Sequence, residues 1–425
     1  MPLTRKAVAY LALAYLFIGL ALGFREPTLT AYVIPLAVAF FYSSLFTQAE
    51  MPELTIKRHL NPPRSFGGES ITVTLQVRNN SLAEIGELRL EDSLPASLAL
   101  EGGTNNLTAY LRSGELLEHT YKISAPKRGR YQVGPVKVKS EDVLGFREYS
   151  STLPSQDQLL ILPKVEDLGP VELRARRVGP WPGSVQSRNV GPGSEFFELR
   201  YYIPGDELRR INWKATAKRV RLLSNEFEGE RVTDVLVVLD CSESARSQLF
   251  PFNAEEFEVD FAASLCSQLL LQGNRVGLLV YGAERTWLVP AFGKRQLLKI
   301  LSSLAIVKAG SALVPIGYAV ETIVAAVLPA RSVIVFVSPL IGDDIVEAVS
   351  NVASAGYSVV CFSPTTGRIR PTSERSVTST ARRIMAAERR INVKQVLAVA
   401  KFFELSPQAS IRLLLRSRRS LWRRI

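Results

Sequence analysis

Histidine and cysteine are scarce in this 425-residue chain, with two of the first and three of the second. Both histidines, His59 and His119, lie in the first half, so the region after residue 231 has no imidazole to serve as general base. Neither has a second ligand at metal spacing, and both read as ordinary surface or strand histidines. Cys241, Cys266 and Cys361 show no zinc or redox spacing. They read as small buried hydrophobes of a reducing compartment. Also missing are G-x-x-x-x-G-K-[ST], G-x-S-x-G and H-E-x-x-H; Gly293-Lys294 stands without a following Ser or Thr. Nucleotide-hydrolysing, serine-hydrolase and zinc-protease chemistry therefore lack their usual parts, and the chain reads as a non-enzyme.

What is plentiful is apolar sequence, 47% of residues against 22% charged. Ala7–Phe24 and Leu29–Phe46 are uncharged apolar runs separated by Arg25-Glu26-Pro27-Thr28. A bilayer span needs roughly 20 such residues, with about 17 as the lower limit. Residues 1–50 thus predict a transmembrane helical hairpin (7–24 and 29–46). A cleaved signal peptide is the alternative for the first run, which has a basic start in Arg5 and Lys6. The second run that follows at once, without an Ala-x-Ala site, argues against it. Arg5 and Lys6 before the hairpin and Lys57 and Arg58 after it place both ends in the cytoplasm by charge counting. The expectation is a multi-pass cell-membrane protein with the bulk of the chain cytoplasmic. The sequons at Asn79-Asn80-Ser81 and Asn106-Leu107-Thr108 point the other way.

The net charge of +12 is unevenly spread. From Arg368 onward there are 15 Lys or Arg against 3 Glu, and the rest of the chain is balanced at 37 of each sign. Residues 365–425 read as a basic helical tail. Its end (Arg416, Arg418, Arg419, Arg423, Arg424) suits an anionic membrane surface or is a solvated, partly disordered tail. Nucleic acid is disfavoured, because no interleaved aromatics or recognisable binding fold accompany the charge.

Residues 51–165 read as all-β. Ile71, Val73, Leu75 and Val77 alternate with polar residues, and further strands are expected at 87–90, 116–124 and 131–138, a small β-sandwich. Residues 166–230 hold a Gly/Pro-rich linker and then a helix after Pro204-Gly205-Asp206. There Asp206 is read as N-cap, with Leu208, Ile211 and Ala215 on one face. Residues 231–364 alternate strand and helix, which predicts a doubly wound α/β sheet. The fold class is therefore α/β plus all-β behind two N-terminal helices.

Val232–Leu239 is a buried-strand run ending in Asp240-Cys241-Ser242-Glu243-Ser244. A carboxylate and two hydroxyls leaving the carboxyl end of a central strand suit Mg²⁺, which takes hard oxygen ligands. The other reading is that Asp240 and its serines cap the next helix and satisfy backbone groups.

This pattern resembles the metal-ion-dependent adhesion site of von Willebrand factor type A domains. The resemblance implies that a hydroxyl from a later loop joins the shell, a position Ser311 fills. It also implies an Asp after the fourth strand. Here that strand ends in Ser338-Pro339, and Pro339 has no side-chain ligand; Asp343 and Asp344, a few residues on, are the candidates to substitute through water.

A second signature runs from Phe196 to Lys214. Arg200, Tyr202, Gly205, Asp206, Arg209 or Arg210, Ile211, Trp213 and Lys214 match a pattern that resembles domain of unknown function 58. Ser140–Phe146 looks like that family's conclusion to its β domain. The resemblance implies a membrane-anchored adaptor whose metal site, formed by Asp240, Ser242, Ser244 and Ser311, grips an acidic side chain of a partner. It also implies work beside a MoxR-type AAA+ ATPase in assembly or maturation of other complexes. A metal-independent scaffold, or a membrane-surface or nucleic-acid binder acting through the tail, are the alternatives. The helix around Trp213 and Lys214 reads as a structural strap, with Arg210 paired to acidic neighbours, or as a basic face for a partner.

Overall fold

The computed structural model describes residues 4–46, 53–82, 84–141, 146, 148–171, 190–219, 221–228, 233–243, 253–283, 285–311, 314–329, 332–365 and 377–405. They divide into two compact units, 1–164 with 304–306, and 165–303 with 307–425.

The first unit opens with α1 (Arg5–Phe24), capped by the Thr4 hydroxyl, which accepts from the Ala7 amide at 3.2 Å. Among the described helices, α1 is the one long and apolar enough to cross a membrane. The second apolar run behaves differently from expectation. Pro27 opens a 3₁₀ turn over Pro27–Tyr32, and α2 (Val33–Phe46) is an α-helix of only 14 residues. Pro35 falls in the first turn of α2, where its missing N–H costs no intrahelical bond. At 1.5 Å per residue α2 reaches about 21 Å, short of the ~30 Å hydrocarbon core.

Eleven strands follow among the described residues: β1 (Leu54–Asn61), β2 (Arg64–Phe66), β3 (Ser70–Asn79), β4 (Ile85–Asp92), β5 (Ala99–Gly102), β6 (Asn106–Leu111), β7 (Leu116–Ser124), β8 (Gly129–Val133), β9 (Val136–Glu141), β10 (Glu148–Leu153) and β11 (Asp157–Leu162). They form sheets β1-β3-β7-β5, β10-β9-β4-β6 and β2-β11-β8. The alternating residues of β3 all face inward, Ile71 and Val73 into one apolar cluster and Leu75 and Val77 into another. The single strand expected over 131–138 is instead two. The chain breaks at Gly134-Pro135, so β8 pairs with β11 and β9 with β4. Gly134 has φ +100°, and a side chain there would collide with the Ser155 carbonyl.

Two charge and sequon signals change meaning once the sandwich is seen. Arg58 is buried, donating to both Asp92 oxygens at 2.9 and 2.7 Å and to Asp157 at 2.8 Å, so it is no juxtamembrane charge. Asn79 is fully buried, and its amide donates to the Leu111 and Arg112 carbonyls, which removes it as a glycan acceptor in the folded chain.

In the second unit, β12 (Val190–Tyr201) pairs antiparallel with β13 (Leu223–Glu228), enclosing α3 (Trp213–Arg219). Then come β14 (Asp234–Cys241), α4 (Ala254–Leu271), β15 (Arg275–Gly282), β16 (Thr286–Ala291), α5 (Gly293–Ile306), α6 (Ile316–Val327), β17 (Val333–Val337), α7 (Asp344–Ser354), β18 (Ser358–Pro364), α8 (Val377–Val399) and β19 (Lys401–Leu405). The sheet order is β16-β15-β14-β17-β18-β19, parallel except for the edge strand β16. The central strands are buried on both faces, which is why they read as unbroken apolar runs. Leu236, Val238, Ile334 and Phe336 meet α6, α7 and α8 in one cluster. On α4, the Phe261 ring lies 4.9 Å from that of Phe362.

The boundary expected at residue 364 is too early. β19 pairs in parallel with β18, and α8 packs Val396 into the core, so residues 377–405 belong to the α/β sheet rather than to a helical tail. Within α8, Arg389 is buried. Residues 406–425, including Arg416, Arg418, Arg419, Arg423 and Arg424, lie outside the described residues.

Candidate functional site

The strand order reverses at β14, which has β15 on one side and β17 on the other. In open α/β sheets the crevice beyond the carboxyl ends at such a switch point is where ligands bind. Asp240 stands at that end of β14 and Ser338 follows the last residue of β17.

Asp240 is only 3% exposed, and both its oxygens are engaged. Oδ1 accepts from the Ser242 amide at 3.0 Å, and Oδ2 accepts from the Ser338 hydroxyl at 2.7 Å. Ser338 Oγ in turn accepts from the Leu340 amide at 3.0 Å. Burial pushes the Asp240 carboxyl up, against the hydrogen bonds from Ser242 and Ser338 that pull it down. Leu340 is fully buried with φ +56°, a left-handed conformation uncommon for Leu.

The loop carrying Ser311 is held against this strand end. The Gly310 amide donates to the Cys241 carbonyl at 3.0 Å, and the Ala309 amide donates to Glu255 of α4 at 2.9 Å. A side chain at Gly310 would press on Ala283, with Cβ atoms 2.6 Å apart, so the close approach requires glycine. Ser311 itself is exposed whereas Asp240 is buried. Ser244 lies outside the described residues.

One turn beyond Glu255, Glu258 is 1% exposed and neither carboxyl oxygen has a hydrogen-bond partner. Its carboxyl is held well above the usual range by burial first, then by Asp240; Arg389 opposes, and Glu255 adds to the rise. From α8, Arg389 donates to the Pro339 carbonyl at 3.0 Å, to Ser363 Oγ at 3.0 Å and to the Pro364 carbonyl at 2.7 Å. Asn392 donates to the carbonyls of Leu340 and Gly342 at 3.3 and 3.1 Å. The carboxyl ends of β17 and β18 are thus capped by side chains of the chain itself. Sequence reasoning missed Glu258, Arg389 and Asn392. Arg389 sat inside a segment read as a cationic tail, and nothing local marks an isolated buried Glu.

Of the set expected to hold Mg²⁺, the described residues bring one carboxylate, Asp240, whose oxygens accept an N–H and an O–H. Among the described residues no group of three His, Cys, Asp or Glu converges on a point. The three cysteines are buried and form no disulfide, and burial pushes the Cys266 thiol up to about 12 and raises the Cys361 thiol as well. That leaves Cys266 and Cys361 inert as nucleophiles at neutral pH.

The signature hairpin is built differently from expectation. Asp206 does not cap a helix. It takes Arg200 in a two-pronged ion pair at 2.8 and 2.7 Å and accepts from the Ile203 amide at 3.1 Å, closing the Pro204-Gly205 turn. These bonds hold its carboxyl below the usual range, Arg200 first. Residues 208–210 form a 3₁₀ turn, and Asn212 caps α3 by accepting from the Ala215 amide at 2.9 Å. Ile211 is buried and Arg210 pairs with Glu207 at 3.8 Å. Gly205, with φ +112°, serves the turn. Tyr202 is half-buried; Trp213 and Lys214 face solvent. Of the Ser140–Phe146 stretch, residues 142–145 lie outside the described set; Phe146 is buried, with its ring 5.0 Å from Tyr10 and 6.0 Å from Phe40.

Residues 198–363 match the family described as Protein of unknown function DUF58. That stretch begins within β12, takes in the rest of the hairpin, Asp240 and Ser338, and stops before α8 and β19. A curated protein, "Uncharacterized protein YeaD" of Bacillus subtilis (strain 168), is 23% identical over 270 residues, covering 62% of this chain and 65% of that protein. The chain therefore spans just under two thirds of that relative's length. Solved structures overlap it only locally. A fragment of α2-macroglobulin from Escherichia coli gives a TM-score of 0.24 at 14% identity, over 27% of this chain and 17% of that one. The CARDB domain of a Pyrococcus furiosus protein gives 0.20 at 15% identity, over 27% and 97%.

Proposed function

We propose that this chain is a membrane-anchored adaptor without catalytic chemistry of its own. Its α/β unit is a von Willebrand factor type A-like domain that docks a partner protein without a bridging cation. The observation that carries the metal-free form is the Asp240–Ser338 hydrogen bond at 2.7 Å. A hydroxyl stands where the adhesion site needs an acid, so this strand end brings one carboxylate where the bridging cation calls for two. The strand order, with a reversed first edge strand, supports the type A reading. The partner implied by resemblance to domain of unknown function 58 is a MoxR-type AAA+ ATPase, in assembly or maturation of other complexes.

Anchoring is proposed through α1 and the segment after it. Six 3₁₀ residues at about 2 Å each and 14 α-helical residues at about 1.5 Å give roughly 33 Å, enough for a second pass. Arg5, Lys6 and Lys57 then leave both ends on the cytoplasmic side. The distal tail arginines (416, 418, 419, 423 and 424) add a contact with anionic lipid in this reading.

Affinity capture of the tagged chain from solubilised membranes, in Mg²⁺ and in EDTA, tests the proposal. Equal recovery of an AAA+ ATPase in both is expected. Recovery in Mg²⁺ alone restores the cation-bridged form, and recovery in neither removes the adaptor reading.

A further inference from the structure

The β12–β13 hairpin leaves a set of large apolar side chains in water. Leu199, Tyr201 and Ile203 recur at alternate positions, so they share one face of the strand and its continuation, and all three are exposed. The segment joining the strands adds Leu208, 70% exposed, and Trp213, 65% exposed. Single exposed apolar residues need no explanation, but five within 15 residues of chain do.

The segment that joins the strands is cationic. Residues 202–222 hold six Lys or Arg against two acids, a net of +4, whereas the strands themselves carry Glu195, Glu198, Glu226 and Glu228 against Arg200. Both acids of the joining segment are spent within the hairpin, Asp206 on Arg200 and Glu207 on Arg209 and Arg210. Lys214, Lys218, Arg219 and Arg221 are exposed, and among the described residues no carboxylate pairs with them. The Arg221 guanidinium sits 5.9 Å from the Tyr201 ring centroid, which places cation and aromatic side by side on the hairpin.

We propose that this hairpin docks on the anionic leaflet of the membrane in which the chain is anchored. Trp, Tyr and short aliphatic side chains with interspersed Lys and Arg are the composition that settles at the headgroup boundary. The apolar side chains enter the acyl boundary while the cations meet lipid phosphate and carboxylate groups. The proposal rests on the anchoring reading above, since α1 keeps the hairpin at high effective concentration near lipid. An acidic protein surface is the competing occupant; it would satisfy the cations but has less use for Ile203 and Leu208.

The test uses the full chain reconstituted into vesicles of phosphatidylcholine, with or without phosphatidylserine, each carrying some brominated lipid. Flotation through a density gradient first reports anchoring, and quenching is then read on the floated fraction. Trp213 is isolated as the difference between the native chain and Trp213→Phe. The expected result is bromolipid quenching of Trp213 that strengthens with phosphatidylserine and weakens with added salt. The combined Lys214→Glu, Lys218→Glu and Arg219→Glu variant should lower the docked-to-free ratio by roughly a hundredfold or more. A chain that floats while Trp213 stays unquenched in both lipids overturns the docking and leaves anchoring intact. Failure to float overturns both. Protection of Trp213 from acrylamide by an added acidic protein, without bromolipid quenching, assigns the surface to a protein and overturns the proposal.

Discussion

Ser338 donates its hydroxyl to Asp240 across the switch point of the sheet, Oγ to Oδ2 at 2.7 Å, and so ties the end of β17 to the end of β14. Ser338→Ala removes that donor and also the acceptor of the Leu340 amide. Both orphaned groups are buried. Urea unfolding should show a loss of about 1–3 kcal/mol for the α/β unit. A change within experimental error contradicts the role given to Ser338.

Glu258 sets a pH dependence. Its carboxyl is held well above its ordinary value of 4.5 by burial. The folded state therefore binds more protons than the unfolded state, and the stability this contributes is fully present below about pH 4.5. It is lost as pH rises from there through the folded-state value. Glu258→Gln removes that titration, so its melting temperature should exceed the native chain's by a margin that widens with pH above 4.5. A constant margin, or one that shrinks, contradicts this.

In the β-sandwich, Asp92 binds buried Arg58 by two hydrogen bonds and accepts from the Tyr121 hydroxyl at 2.6 Å. Asp92→Ala leaves a buried guanidinium with only part of its compensation. Destabilisation of about 3–5 kcal/mol is expected in denaturant titration, and the double replacement with Arg58→Met should recover much of it.

Asp206→Asn tests the turn of the hairpin. It removes the charge that Arg200 grips, while keeping an oxygen for the Ile203 amide. Faster hydrogen exchange at Ile203 and Asp206, with exchange in β14 unaltered, is the expected outcome.

Much of the α/β sheet was legible because buried parallel strands are continuous apolar runs with clear punctuation. β14 (Asp234–Cys241) lies on the apolar run Val232–Leu239 and its Asp240-Cys241 end, and β17 closes at Val337, directly before Ser338-Pro339. α8 and β19 were not, for a physical reason. The inward face of α8 carries Arg389, Asn392 and Val396, spaced as one helical face but two-thirds polar. Hydropathy sees a cationic tail where the fold has a cap for strand ends. The β-sandwich strands followed their alternation, yet the break at Gly134 depends on contacts with Ser155 and Arg58, distant in sequence. At the switch point the motif residues were legible and their use was not. Asp-x-Ser serves equally to ligate a cation or to hold backbone amides, and the hydroxyl that Asp240 takes as partner lies 98 residues away in sequence, where no local pattern reveals it.

Isothermal titration of the full chain in detergent with Mg²⁺, paired with thermal melts in Mg²⁺ and in EDTA, tests the metal-free account most directly. It predicts no saturable heat and superimposable melts. Saturable binding with a melting temperature that rises with Mg²⁺ concentration and falls back in EDTA contradicts it.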